Sequence, residues 1–118
     1  FKNQFVHPLP IYRIKQDKFV ENKENHKVSW PNFEIEILEK REEFSFCKVI
    51  HTNQMLWIKN EFIYLKNKHF YCLDDYIDHF ITVHENEDVK VIGLYGKFAY
   101  IIKNKEIGWI ESGYLEKI

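Results

Sequence analysis

The chain repeats itself. Phe46-Cys47-Lys48-Val49 and Phe98-Ala99-Tyr100-Ile101 share one shape: an aromatic, two further residues, then a β-branched apolar side chain. Each is followed at the same distance by a Trp-Ile pair, Trp57-Ile58 and Trp109-Ile110, and then by an aromatic-aliphatic pair, Phe62-Ile63 and Tyr114-Leu115. All these matches share one offset of 52 residues, from Phe46 to Phe98. Upstream, Ile35-Glu36-Ile37 matches Val89-Lys90-Val91 if the first copy carries two extra residues in the next turn. A constant offset across several elements points to a supersecondary unit used twice.

The local signals in each copy are those of strands. Phe33-Glu34-Ile35-Glu36-Ile37 alternates apolar and charged residues, as does Val89-Lys90-Val91, so one face is buried and one is wet. Residues 46–50 and 98–102 are rich in β-branched and aromatic side chains. Asn104-Lys105 predicts a tight hairpin tip, and His51-Thr52-Asn53-Gln54 takes that part in the first copy. Gly93 and Gly96 frame Leu94-Tyr95 as a turn or bulge. The predicted core is Val89, Val91, Ile101, Trp109 and Ile110 in the second copy, with Ile35, Ile37, Val49 and Ile58 in the first. Helix is expected to stay below about 15%, well under the usual globular share.

Outside the repeat the reading is coarser. Pro8, Pro10 and Pro31 forbid central strands at those points, Ile11, Phe19 and Val20 suit short strands, and residues 21–27 read as a polar loop. Residues 65–80 carry either a short helical stripe (Leu65, Phe70, Leu73, Ile77) or two strands, Phe70-Tyr71-Cys72 and His79-Phe80-Ile81, about a turn at Asp74-Asp75. Strand-turn-strand is favoured, because the second copy needs opening strands there. The division that follows is residues 1–66 for a first small barrel with a Pro-rich lead-in and 67–118 for a second. Each would have a thin core alone, which packing together would relieve.

Val89-Lys90-Val91, Gly96-Lys97-Phe98-Ala99-Tyr100-Ile101, Gly108-Trp109-Ile110 and Tyr114-Leu115 resemble the bacterial SH3-like (SH3b) domain, with its Val-x-Val strand, Gly-x-Trp-x-x-Val strand, Gly-Trp-Val and terminal Tyr-Leu. The first copy keeps Phe46, Val49, Trp57 and Ile58, with Leu56 where the glycine belongs. Pro8-Leu9-Pro10 and Lys15-Gln16-Asp17-Lys18-Phe19-Val20 are similar to the opening of the tandem form in exported alphaproteobacterial proteins, so the resemblance covers nearly all of the chain. It implies an all-β fold of two tandem small SH3-like β-barrels packed together, a periplasmic or otherwise exported location, and a binding role. The chain departs from the family at the Asn-x-Arg-x-Gly-Pro turn after the first strand. Val20-Glu21-Asn22-Lys23-Glu24-Asn25 stands there instead, and the second copy lacks the turn around residues 73–78.

Charge narrows the partner. Seventeen basic and eighteen acidic residues give a formal charge of -1, with two arginines, Arg13 and Arg41, so the chain carries no overall basic footprint for nucleic acid. Lys66, Lys68, Lys97, Lys103 and Lys105 could form at most a local basic face. The runs at residues 39–43 and 103–106 read as solvated hairpin tips. No apolar run reaches the roughly 18 residues of a membrane span. The start at Phe1 rather than Met suggests either a processed product or a segment cut out for expression. Cys47 and Cys72 are either two buried thiols or a single bridge formed in an oxidising compartment.

Little supports catalysis. The Asp74-Asp75-Tyr76-Ile77-Asp78-His79 cluster with His84 lacks a ligand spacing for metal, Cys47 sits within a strand, and the four glycines form no phosphate loop. No catalytic residue, metal or cofactor is expected. Trp57 and Trp109 are either core residues or an aromatic platform, which Tyr95, Phe98, Tyr100 and Tyr114 would extend around Trp109. The expectation is a non-catalytic binding module for a protein or peptide, with cell-wall glycan second and nucleic acid disfavoured. The alternative is a structural accessory subunit or domain of a larger assembly.

Overall fold

The computed structural model describes residues 8–21 and 26–118. They form twelve strands: β1 (Ile11–Ile14), β2 (Lys27–Val28), β3 (Phe33–Glu39), β4 (Phe44–Val49), β5 (Met55–Lys59), β6 (Ile63–Lys66), β7 (His69–Cys72), β8 (Tyr76–Ile77), β9 (Asp88–Tyr95), β10 (Phe98–Lys103), β11 (Glu106–Glu111) and β12 (Leu115–Lys117). The protein is all-β, and its only helical pieces among the described residues are 3-10 turns, including Asn60–Phe62 and Ser112–Tyr114. These two turns keep the 52-residue offset, and each tips the chain from β5 into β6 or from β11 into β12.

The described residues fall into two units. One holds residues 8–21 and 79–118, the other residues 26–78. The first unit carries an antiparallel sheet in the order β11-β10-β9-β1-β12. The second carries one in the order β5-β4-β3-β7-β6, with a small β2-β8 ladder. Position for position the sheets match, except that β1 fills in one the place that β7 fills in the other. The first strand of each meander, β9 or β3, has one side that the meander leaves open and takes a partner there. In the second unit that partner arrives through the β6-β7 hairpin, whereas in the first it comes from the chain's far end. This differs from a division at residue 66. Residues 67–78 belong with the first copy of the repeat, and β1 belongs with the second.

The ladders also do not close into barrels, because the outer edges of β11 and β5 are occupied by other groups. The Trp109 N–H donates to the His79 carbonyl at 2.8 Å and the Ile81 N–H to the Trp109 carbonyl at 3.1 Å. On β5 side chains take that place: the Trp57 N–H donates to Asp78 Oδ2 at 3.1 Å and the Lys59 N–H to the Tyr76 hydroxyl oxygen at 2.9 Å. Residues 79–81 therefore make a single bridge, Phe80 to Trp109, where a strand was predicted.

One core packs Ile14, Ile81, Val83, Val89, Val91, Ala99, Ile101 and Ile110, flanked by Tyr12 and Leu115. The other unit buries Val28, Phe33, Ile35, Cys47, Val49, Leu56, Ile58, Phe62, Cys72 and Tyr76. The predicted core residues are buried except Ile37, which is half-buried. The reason is register. Ile35 pairs with Val49 and Val91 with Ile101, so on this ladder Ile35 is the counterpart of Val91, not of Val89. Phe33 then takes the place of Val89, and Ile37 falls beside the irregularity between Ile37 and Glu39.

Cys47 and Cys72 are free and buried, which decides the cysteine question for two thiols. They sit on β4 and β7, on opposite sides of β3, facing Ile37 and Phe33. Burial pushes each thiol up to about 12. The expected polar loop at 21–27 lies partly outside the described residues, since 22–25 are not among them.

Candidate functional site

Trp109 is fully buried, and Tyr100 is 1% exposed. Their rings stack at 4.5 Å and 25°, and Tyr95 meets Trp109 edge-on at 5.7 Å. Trp109 and Tyr100 are interior packing and Tyr95 is half-buried at their edge, so Trp109 and Tyr100 present no platform to solvent. Phe98 is half-buried against Phe80 at 6.0 Å, and Tyr114 lies in the last 3-10 turn with the Lys18 ammonium 5.8 Å from its ring centre. Among the predicted site residues, then, the fold groups Trp109, Tyr100 and Tyr95 and leaves Phe98 and Tyr114 in other contacts.

Trp57 is different. It is half-buried, lies 5.0 Å from Phe46, and carries the Arg41 guanidinium 5.2 Å above its ring. Phe46 and Trp57 are directly opposed on β4 and β5, on the face away from Cys47 and Leu56.

Across the same outer face, at the other end of the sheet, lies an open cleft of ≈ 420 Å³ lined by Asn32, Tyr64, Lys66, Asn67 and Tyr71. The β6-β7 hairpin builds it. Asn67 and Lys68 form its two-residue tip, both with positive φ (51° and 68°), as a mirror-image turn requires. That turn pairs Tyr64 with Tyr71 and Lys66 with His69, so all four side chains share a face. The two tyrosine rings stack at 5.5 Å and 24°. Asn32, itself at φ 55°, closes the far end, where the Tyr64 hydroxyl donates to its Oδ1 at 2.8 Å. Between the aromatic ends of the face run polar contacts: the Lys48–Glu36 ion pair at 3.3 Å and His69 Nδ1 at 2.9 Å from Glu34.

The sequence reading missed Tyr64 and Tyr71, although the signal was present. Asn67-Lys68 is a two-residue hairpin tip, and tyrosines three residues to either side of it must face each other.

The polar cluster at residues 74–79 does structural work. Burial pushes the Asp78 carboxyl above its ordinary value, against the opposing pull of the Trp57 N–H and of His26, whose Nδ1 lies 3.2 Å from Asp78 Oδ2. His79 Nε2 contacts Glu106 at 2.7 Å, and His84 lies 3.9 Å from Asp17. Among the described residues no group of three His, Cys, Asp or Glu side chains is placed to hold a metal ion. Lys59 is buried beneath Phe44 and neutralised by Glu61 at 2.8 Å and Glu43 at 3.7 Å. Lys103 pairs with Glu87 at 3.1 Å. No helix among the described residues is long and apolar enough to cross a membrane.

Compared with protein-family models, with curated proteins and with solved structures, the chain matches none.

Proposed function

We propose that the chain is a non-catalytic binding module of the SH3b type, acting in a bacterial cell envelope and recognising a protein, peptide or cell-wall ligand. Two repeats of an open five-stranded antiparallel sheet, each closing on a 3-10 turn and a short last strand, support a tandem SH3-like arrangement. The observation that carries the binding role is the Tyr64–Tyr71 pair in its polar cleft. Rings held by a hairpin lose little freedom on binding, and aromatic surface beside side-chain amides with N–H groups to spare is the composition of a recognition site. This reading assigns recognition to the first copy of the repeat rather than to Trp109.

A second reading, an accessory subunit of an assembly, draws on one feature. Leu65 and Phe70 are paired across β6 and β7 on the opposite face of that hairpin, and both are exposed, Leu65 at 61%. Adjacent exposed apolar side chains suit a protein contact.

One experiment separates the two. The full chain is sedimented with insoluble cell-wall sacculi and, in parallel, immobilised to capture envelope proteins. Tyr64→Ala, Tyr71→Ala and Leu65→Asp variants, checked for folding, are run beside it. Capture lost in both tyrosine variants supports the proposed site. Capture lost only in Leu65→Asp supports the accessory reading. No capture by the intact chain ends the binding proposal.

A further inference from the structure

We infer that the Tyr64–Tyr71 cleft accepts a pyranose that bears a carboxylate, an acidic sugar residue within a glycan. The inference rests on the binding reading above and specifies its ligand.

The cleft leaves several of its polar groups unused. The Tyr64 hydroxyl donates to Asn32 Oδ1, which leaves the Asn32 amide nitrogen with both its N–H groups available. Among the described residues the Asn67 amide, the Tyr71 hydroxyl and the Lys66 ammonium have no hydrogen-bond or ion-pair partner. Asn32 and Asn67 therefore offer bifunctional amides at the two ends of a stacked ring pair, and Lys66 adds one unneutralised cation beside them. No carboxylate lines the cleft.

Each part of an acidic sugar finds a complement. The C–H face of a pyranose ring is flat and apolar, and it covers tyrosine surface. Vicinal hydroxyls both donate and accept, as side-chain amides do. A carboxylate takes its strongest hydrogen bonds from a cation, and Lys66 is the cation at hand. A cleft of ≈ 420 Å³ has room for about one to two sugar rings.

The alternative flat anion, a stretch of single-stranded nucleic acid, would also stack on tyrosine. The surroundings oppose it. Glu34 stands directly opposite Tyr71 in the ladder and Glu36 lies two residues further along the same strand face, so a second or third phosphate would run towards carboxylates. A single charge at the Lys66 end is separated from Glu34 by His69, which stands opposite Lys66 and takes up the Glu34 carboxylate at 2.9 Å.

The test uses the full chain and side-chain amide NMR shifts at Asn32 and Asn67, titrated with three probes. These are a galacturonic acid trisaccharide, a neutral galactose trisaccharide and an oligothymidylate. The acidic trisaccharide is expected to shift both amides, to bind about tenfold more tightly than the neutral one, and to lose that margin in Lys66→Gln and in high salt. Tyr71→Ala should abolish the shifts with the backbone spectrum otherwise retained. Equal affinity for both sugars, or preference for the oligothymidylate, overturns the acidic-sugar inference and leaves the binding module standing. No shift with any probe, while the intact chain still captures an envelope partner, overturns it in the same way. No shift and no capture removes both.

Discussion

The two sheets solve one edge problem by different means, and a single residue records the choice. In one unit the backbone of residues 79–81 lies directly against β11, and a Cβ placed on Gly108 would sit 2.5 Å from the His79 carbonyl oxygen. Only glycine permits that approach. In the other unit the equivalent edge is met by the Asp78 carboxylate and the Tyr76 hydroxyl, whose side chains hold their own backbone further off. The space so gained is filled by Leu56, which stands at the glycine's position and is fully buried. Backbone-to-backbone closure gives a tight, apolar edge, whereas side-chain closure gives one that depends on a buried carboxylate. The tryptophans follow the same division. Trp109 stacks on Tyr100 opposite it, while Trp57 meets Phe46 opposite it at a tilt and keeps part of its ring in solvent beneath Arg41.

The widest contrast should come from those tryptophans. Trp109→Ala removes a fully buried indole and is expected to cost about 3–5 kcal/mol, a large part of a small domain's stability. Trp57→Ala should cost less than about 2 kcal/mol, since its ring is already half wet. Urea denaturation of both variants measures the gap, and equal costs would break the comparison. Gly108→Ala comes next, at about 1–3 kcal/mol, because a backbone oxygen must move. Hydrogen exchange should show the loss in β11 and residues 79–81 first.

Acid should drive the two units in opposite directions. The Asp78 carboxyl is raised by burial, so the folded second unit binds its proton before the unfolded chain does. Its stability therefore rises as pH falls from the raised value to the ordinary one near 3.8. Burial also pushes Glu87 upwards, but the His84 N–H and Lys103 outweigh it and hold that carboxyl below its ordinary 4.5. The stability Glu87 lends the first unit is complete above 4.5 and is lost as pH falls through the lowered value. Amide exchange followed from neutral pH into this window should show protection growing around β5 and shrinking around β9. Asp78→Asn and Glu87→Gln should each flatten one trend and leave the other.

Much of this was legible in the residues, and the misses have physical causes. The offset of 52 located β4, β5, β10 and β11, because hairpins are local, while the two 3-10 turns that share the offset went unread. The strand completing each sheet was not legible. Whether β9 takes its partner from residues 69–72 or from residues 11–14 is a choice between two apolar segments of similar character, and only tertiary packing decides it. Ile37 was misplaced because it is the last in-register residue before the β3-β4 ladder breaks, and alternation alone does not reveal where a ladder breaks. At the site, the aromatic count drew attention to Trp109, which burial consumes. The tyrosines that reach solvent were marked by the Asn67-Lys68 tip between them.

The smallest effect is the sharpest probe of whether the two units open separately. Both cysteines lie in one unit, and burial holds their thiols at about 12. At pH 8 only about one buried thiol in ten thousand is ionised, so an alkylating reagent reacts by way of opening. Labelling of the native chain is expected to be slow and equal at Cys47 and Cys72, since β4 and β7 flank the same central strand and are freed together. Phe33→Ala should speed it at both sites. If the units open independently, Gly108→Ala should leave the labelling rate within about twofold of the wild type while lowering protection in β11. A labelling rate that rises with Gly108→Ala as steeply as with Phe33→Ala would mean that the repeats unfold as one body. The distinction between a backbone-closed and a side-chain-closed sheet would then be a local difference within a single cooperative fold.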